Sequence, residues 1–383
     1  MLLGKYDDSL EIHRRDKIVF AVFLKPHHVI STCRVNGGLR KDLGVLFNHQ
    51  SCEPCNHLHQ TRRIIDQTPM DYLKTVCRRY DLDPTQCASL GTAANMNYAV
   101  IEDLSFRNLT VVAVCTGGVE ANAGRAGDPA NYFETHGKFE KTDDPDINPL
   151  SGTINTMVFI NRPLTQGAMV RTIVTATEAK TAALQELNVN SRYSDGPATG
   201  TGTDQIGVAC RITDDPPLTS AGKHAKLGEL IGKTVKKAVK KTLSLQNELT
   251  PEGQRSVKIH IERFGTDKEK IKTGICRYLS ESTAKILCDN DHIVSRDPLT
   301  VAAVTALVHL RDKLVWGILP ESCLPEIFSG YGAQIASAVS GKPDRIPFYR
   351  EKLGQKKHGM GNSAFLELVY HSIAMGFEEK WAE

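Results

Sequence analysis

Two kinds of stretch alternate along the chain. One kind is short, β-branched and apolar, bounded by glycine or proline; residues 17–24, 29–35, 109–115, 153–161 and 206–212 read this way and predict strands. In the other kind apolar residues return every three or four positions, which predicts helices over about 69–80, 167–187 and 222–246. Thr68-Pro69-Met70-Asp71 carries the start signal of the first helix: an N-capping threonine, proline at the first helical position and an acid in the first turn. In the second, Val170, Ile173, Val174, Thr177, Thr181 and Leu184 are expected to form the buried face, with Lys180 beside it. Glu178 and Lys180 are two apart and point away from each other, so they are not a ready acid–base pair. The lysine amine either reaches water along its stem or is partly desolvated and chemically active. In the third helix Leu227, Leu230, Ile231, Thr234, Val235, Ala238 and Val239 form the inner stripe, while Lys233, Lys236, Lys237, Lys240 and Lys241 lie outside. His224 falls one wheel repeat before Ile231 and is expected to face inward from the first turn, where the helix dipole favours a neutral imidazole.

Together these elements predict an α/β fold, a layered sandwich with a mixed β-sheet and flanking helices. After Thr250-Pro251-Glu252-Gly253 the character changes. Val257–Ile261 reads as a short strand, and Pro298–Leu310 and Asn362–Phe377 as apolar-faced helices. The division expected is an α/β domain over residues 1–250 and a mainly helical C-terminal extension over 251–383.

Composition narrows the function classes. Among 383 residues 40% are hydrophobic and 24% charged, ordinary for a globular protein, and a net charge of +3 is too small to argue for nucleic acid or an anionic membrane. Without an apolar run of membrane-spanning length, and with a polar start from Met1 to Arg15, a cytoplasmic protein is expected. Its ten cysteines are scattered, which points to reduced thiols. Cys52 and Cys55 have zinc-knuckle spacing and His57 follows, so this segment is either a zinc site or a surface loop whose thiols are incidental.

Two glycine-rich loops carry more chemistry. Thr116 to Pro129 follows a strand and offers Gly117, Gly118, Glu120, Asn122, Arg125 and Asp128. Gly196 to Gln205 offers Thr199, Thr201 and Thr203 around Gly200 and Gly202, whose backbone can turn its N–H groups toward a ligand. It lacks the Gly-Lys-Ser/Thr ending of a nucleotide P-loop, and a strand rather than a helix follows it. A hairpin turn without function shows the same glycines.

At these residues the sequence resembles a family. Gly91-Thr92-Ala93-Ala94-Asn95-Met96, Thr116-Gly117-Gly118-Val119-Glu120, Gly124-Arg125-Ala126-Gly127-Asp128 and Gly152-Thr153-Ile154-Asn155 are similar to motifs of the adenosylcobinamide amidohydrolases. So are the runs from Thr177 to Leu187, Ala198 to Gln205 and His224 to Gly232. The resemblance spans about residues 27 to 248 and implies hydrolysis of the amide that joins aminopropanol to the corrin ring, giving adenosylcobyric acid in corrinoid salvage. It implies a corrinoid substrate whose cobalt is part of that substrate, with no separate cofactor expected; a homodimer is a further expectation. A corrinoid rim is rich in amides, and Asn95, Asn97, Asn122, Asn155, Thr175 and the loop residues are expected to pair with them.

For catalysis, the glycine loops are expected to supply oxyanion donors, and His224 or Glu178 to activate the nucleophile. Asp204 would orient His224, and Lys180 would stabilise negative charge. The nucleophile is either water or a hydroxyl, Thr153 or Thr175; Thr153 is the sharper choice because it opens a strand directly after Gly152, and as an N-terminal nucleophile it would require a cut there. Two other readings stand beside the hydrolase: a corrinoid-binding module without chemistry, and a metal-stabilised interaction protein centred on Cys52, Cys55 and His57.

Overall fold

The computed structural model describes residues 1–52, 68–136, 138–142 and 152–381. Contacts divide the chain into two units, Met1–Leu249 and Thr250–Glu383.

The first unit contains two sheets. In the smaller, β1 (Leu2–Tyr6), β2 (Leu10–Arg15), β3 (Ile18–Phe23), β6 (Val45–Gln50) and β7 (Cys87–Thr92) lie in that order. The larger runs β5 (Gly38–Arg40), β4 (His27–Ser31), β15 (Gln205–Arg211), β13 (Asn155–Ile160), β9 (Leu109–Thr116), β8 (Val100–Phe106). Both are mixed: β6 and β7 are parallel, as are β13 and β15, and the other pairs are antiparallel. A parallel pair needs a crossover, and α2 (Gln166–Glu186) supplies it between β13 and β15.

Strand alternation assigns the faces. Val112 and Val114 of β9 turn toward the smaller sheet and join Ile12, Val19, Leu46, Leu90, Met157 and Phe159 in an inter-sheet core. Their neighbours Val111, Ala113 and Cys115 turn the other way, against α2 and α3 (Lys226–Asn247). The outer face of the smaller sheet, with Ile18, Phe47 and Cys87, is covered by Leu73, Val76, Cys77 and Tyr80 of α1 (Pro69–Tyr80). Four layers result: helix, sheet, sheet, helices. Gly207 permits the close approach of the two sheets, since a Cβ there would lie 2.7 Å from Leu46 Cδ2.

Helix α1 begins at its predicted cap, with the Thr68 side chain accepting from the Asp71 amide. The inner stripe of α3 is buried throughout. Its outer lysines are tied down: Lys236 and Lys240 reach Glu186 at 2.6 and 3.1 Å, and Lys237 and Lys241 converge on the largely buried Glu102.

The face of α2 is corrected by the structure. Leu184 is buried and Ile173 packs against the core as expected, but Val170 and Val174 are 52% and 39% exposed, whereas Ala168, Met169, Thr172, Thr175, Ala176, Ala179 and Ala183 are buried. Small side chains win because this face packs closely against α3 and the sheet. The threonines can follow them in because the Thr172 hydroxyl donates to the Ala168 carbonyl at 2.9 Å and Thr175 to the Ala221 carbonyl at 2.8 Å.

Strands β1, β2, β5, β6, β7 and β8 lie outside the predicted set, as do the two-residue strands β10 (Ala123–Gly124) and β14 (Gly200–Thr201) and the exposed hairpin of β11 (Tyr132–Thr135) and β12 (Lys138–Lys141).

The second unit is helical in all its described regular elements, and Val257–Ile261, expected as a strand, is a helix. Only Val257 and Ile261 of it are fully buried, an i, i+4 pair, so its β-branched composition was overridden by the helical core it packs on. The longest helices here are Pro298–Val315, Leu324–Ser340 and Asn362–Lys380, around Phe264, Phe328, Phe365 and Phe377. Arg311 is buried against two of those rings, 4.3 Å from Phe264 and 5.2 Å from Phe365.

Candidate active site

The C-terminal ends of β6, β7 and β9 meet the N-terminal ends of β13 and β15 at one end of the sandwich. Here apolar strands give way to amides and hydroxyls. Asn48 donates to Thr116 Oγ1 at 2.7 Å, Asn155 donates to Asn48 Oδ1 at 2.8 Å, and the Gln205 amide donates to Asn155 Oδ1 at 3.1 Å. Gln205 returns to the other sheet through its Oε1, which accepts from the Gly91 amide at 2.7 Å. Asn48 and Asn155 are 2% and 1% exposed, so this chain of hydrogen bonds is an interior one that ties the two sheets together.

Above it the two glycine loops are joined. Ala123 and Gly124 pair with Gly200 and Thr201 as a two-residue antiparallel ladder. The Thr199 amide donates to the Gly124 carbonyl at 2.8 Å, and Thr199 Oγ1 accepts from the Ala126 amide at 2.8 Å. Asp128 holds the far side by accepting from the Arg125 amide and from Ser191, both at 2.6 Å. Arg125 Nη1 donates to the Pro197 carbonyl at 3.0 Å.

Asp204 organises the second loop. It accepts from the Ile154 amide at 2.8 Å, the Thr201 hydroxyl at 2.6 Å and the Thr201 amide at 3.0 Å, and it forms an ion pair with Lys180. The lysine amine, left open between solvent and desolvation, is thus drawn inward to a carboxylate. Gly200 makes room for this pair, since a Cβ there would lie 2.5 Å from Asp204 Oδ2 and 2.9 Å from Lys180 Nζ.

Thr153 sits at the centre. Its hydroxyl is 2.6 Å from that of Thr203, and its carbonyl accepts from the Gly118 amide at 3.2 Å. The preceding carbonyl, that of Gly152, receives Asn122 Nδ2 at 2.8 Å and Thr203 Oγ1 at 3.0 Å. Tyr193 fixes the orientation of the asparagine by donating to its Oδ1 at 2.6 Å. Thr153 is buried and Thr203 exposed, so the hydroxyl pair runs from the interior to the surface.

Several residues named from the sequence lie elsewhere or act otherwise. His224 is exposed and precedes the helix, which begins only at Lys226, so the wheel that pointed it inward does not extend to it; Asp204 is engaged with Lys180 and does not orient it. Glu178 is exposed on α2 and pairs with Lys223 at 3.1 Å. Thr175 spends its hydroxyl on Ala221. The Asn95 side chain caps a short turn by accepting from the Asn97 amide at 2.9 Å; Asn97 and Glu120 are exposed. Cys52 is buried, while Cys55 and His57 lie outside the described residues. Among the described residues no cluster of three or more histidine, cysteine or acidic side chains could hold a metal. Asn48, Gln205 and Tyr193 were missed; the signal for the first was polar residues in alternation, Asn48 and Gln50, directly after the apolar Val45-Leu46-Phe47.

The fold and this site define a four-layer α/β protein whose polar end gathers amide, hydroxyl and one lysine–aspartate pair around a threonine. The adenosylcobinamide amidohydrolase family model matches residues 3–251, and the chain belongs to that family. An uncharacterised protein of Methanocaldococcus jannaschii is 40% identical over 183 residues, covering 47% of this chain and 71% of its own length. An adenosylcobinamide amidohydrolase of Methanosarcina mazei is 29% identical over 225 residues, covering 56% of this chain and 89% of its own. Among solved structures, the PH0078 protein of Pyrococcus horikoshii matches over 64% of this chain and 83% of its own at 13% identity, with a TM-score of 0.28. No helix among the described residues is long and apolar enough to cross a membrane.

Proposed function

We propose that the chain hydrolyses the aminopropanol amide of adenosylcobinamide, giving adenosylcobyric acid and free aminopropanol. Family membership supports the reaction class. The observation that carries the reading to these residues is the meeting of Thr153, Thr203, Asn122 and the Lys180–Asp204 pair at the surface end of one hydrogen-bonded cluster. Amide hydrolysis needs a nucleophilic oxygen, donors for the oxyanion and a route for the proton. In this reading Thr153 Oγ1 attacks the amide carbon and its proton passes along the Thr203 hydroxyl to the departing aminopropanol nitrogen. Asn122 Nδ2 donates to the oxyanion, Lys180 offsets negative charge, and one water then cleaves the ester left on Thr153 to release the acid. The joined loops, with Arg125, Asp128, Thr199 and Thr201, hold the amide-bearing rim of the ring.

The test is incubation of the full chain with adenosylcobinamide, following aminopropanol release by mass spectrometry. Release that falls at least tenfold in Thr153→Ala and Asn122→Ala supports the assignment. Tight binding of the corrinoid without release would leave a binding module instead.

A further inference from the structure

We propose that the chain cuts its own backbone between Gly152 and Thr153 and so gives Thr153 a free α-amine. The Gly152 carbonyl oxygen is gripped by two side chains from distant loops, Asn122 Nδ2 at 2.8 Å and Thr203 Oγ1 at 3.0 Å. Two donors converging on one oxygen is the arrangement that stabilises a tetrahedral oxyanion. Asn122 is 3% exposed and its amide is held in orientation by Tyr193, so its donor is fixed in place. The peptide is seated closely: a Cβ on Gly152 would lie 2.8 Å from the Gly118 carbonyl oxygen and 3.1 Å from Asn122 Cβ. On the other side of the bond Thr153 is anchored through its carbonyl to the Gly118 amide, and Ile154 through its amide to Asp204.

The nucleophile is part of the same peptide. A threonine hydroxyl meets the carbonyl carbon of the residue before it through a five-membered ring, so the attack is intramolecular and needs little further ordering. Thr153 Oγ1 forms a bond to the Gly152 carbonyl carbon, and the carbonyl electron pair moves onto the oxygen held by Asn122 and Thr203. Collapse breaks the bond to the Thr153 nitrogen. The hydroxyl proton passes to that nitrogen, which leaves as an amine, while the Thr203 hydroxyl, 2.6 Å from Thr153 Oγ1, keeps its own proton on the oxyanion. An ester between Gly152 and the Thr153 side chain remains. One water then adds to the ester carbon and returns a proton to Oγ1, leaving a Gly152 carboxylate and a Thr153 with both hydroxyl and amine free. The balance is one water consumed, with no oxidant or metal required. The freed amine stands beside its own hydroxyl, the pairing that activates N-terminal threonine nucleophiles. Departure of the Gly152 carbonyl also frees the Asn122 donor for a substrate carbonyl.

Intact mass and N-terminal sequencing of the freshly purified chain, then of samples incubated for hours to days, test the cut. The expected result is two polypeptides, residues 1–152 and 153–383, the second beginning Thr-Ile-Asn-Thr. Thr153→Ala should stay whole and Thr153→Ser should still be cut. Asn122→Ala should slow the cut at least tenfold, and hydroxylamine added during denaturation should trap the ester at Gly152. Circular dichroism shows that each uncut variant is folded; an unfolded one is replaced by Thr203→Val. A wild-type chain that keeps its full mass, or a Thr153→Ala chain cut at the same bond, overturns the proposal. Aminopropanol release is measured on the same samples: a cut chain that leaves adenosylcobinamide intact removes only the substrate reading, and an uncut chain that releases aminopropanol removes only this one.

Discussion

Lys180 and Asp204 form an ion pair with 13% of each side chain exposed, and the same carboxylate accepts from the Ile154 amide and from two groups of Thr201. The aspartate therefore binds a helix, a strand entrance and a loop into one piece. Lys180→Met should leave a largely desolvated carboxylate without its cation, at a cost of about 2 kcal/mol in stability, below the range for fully buried pairs because some solvent reaches this one. Aminopropanol release should fall at least tenfold. Thermal melts and product assays on the same preparation check both; a variant with unchanged melting and activity would show the pair to be incidental.

Gly200→Ala should uncouple the loop from the helix without disturbing the core. The added methyl would fall within 3 Å of both members of the ion pair, so one of them must move. Release of aminopropanol should drop at least tenfold while far-ultraviolet circular dichroism stays that of the wild type.

His224→Ala and Glu178→Ala should each retain activity to within about threefold, because both residues are exposed and Glu178 is paired with Lys223, and exposed substitutions of this kind change stability by only about 0.5 kcal/mol. A hundredfold loss in either would move the chemistry away from Thr153.

Acid should weaken the first unit through two histidines. Burial lowers His49 and His27 to about 4, in His49 with help from nearby Arg79. Such a histidine takes its proton more readily in the unfolded chain, so the stability it contributes is complete above about pH 6.5 and is lost as the pH falls from there toward about 4. The slope is about 1.4 kcal/mol per pH unit for each residue. Denaturant titrations between pH 7 and pH 4.5 measure it, and His49→Gln should flatten the curve; an unchanged curve would count against burial as the cause.

In the second unit, Gly376→Ala should destabilise by about 1–3 kcal/mol, the usual cost of overpacking. A Cβ at this position would lie 2.2 Å from the Ala336 carbonyl oxygen and 2.9 Å from Val339 Cβ, which the two helices can relieve only by separating. The melting temperature reports it.

Much of the architecture was legible because it rests on periodicity. The strands around Val112, Val158 and Val208 and the helices at Pro69 and Leu230 announce themselves by pattern and cap. The first strands of the smaller sheet were harder to see, because Leu10 to Arg15 mixes apolar and charged residues and pairs only through long-range register. On α2 Leu184 lies on the expected face, but Val170 and Val174 do not, because hydrophobicity favours valine whereas close packing selects alanine and threonine. Gly117, Gly152, Thr203 and Asp204 could be singled out by type and by resemblance, but their partners could not. That Asn48 meets Asn155, 107 positions away, is a fact of sheet-to-sheet packing that no local pattern encodes.

The ladder of Ala123–Gly124 with Gly200–Thr201 has a mechanical consequence. Two flaps that belong to different connections, β9 to β13 and α2 to β15, are clasped into a single plate, so a guest that lifts one edge levers the other and tugs on the aspartate beneath. Grip on the ring and readiness of the reacting oxygen then share one degree of freedom, and substitutions along this clasp should shift KM and kcat together.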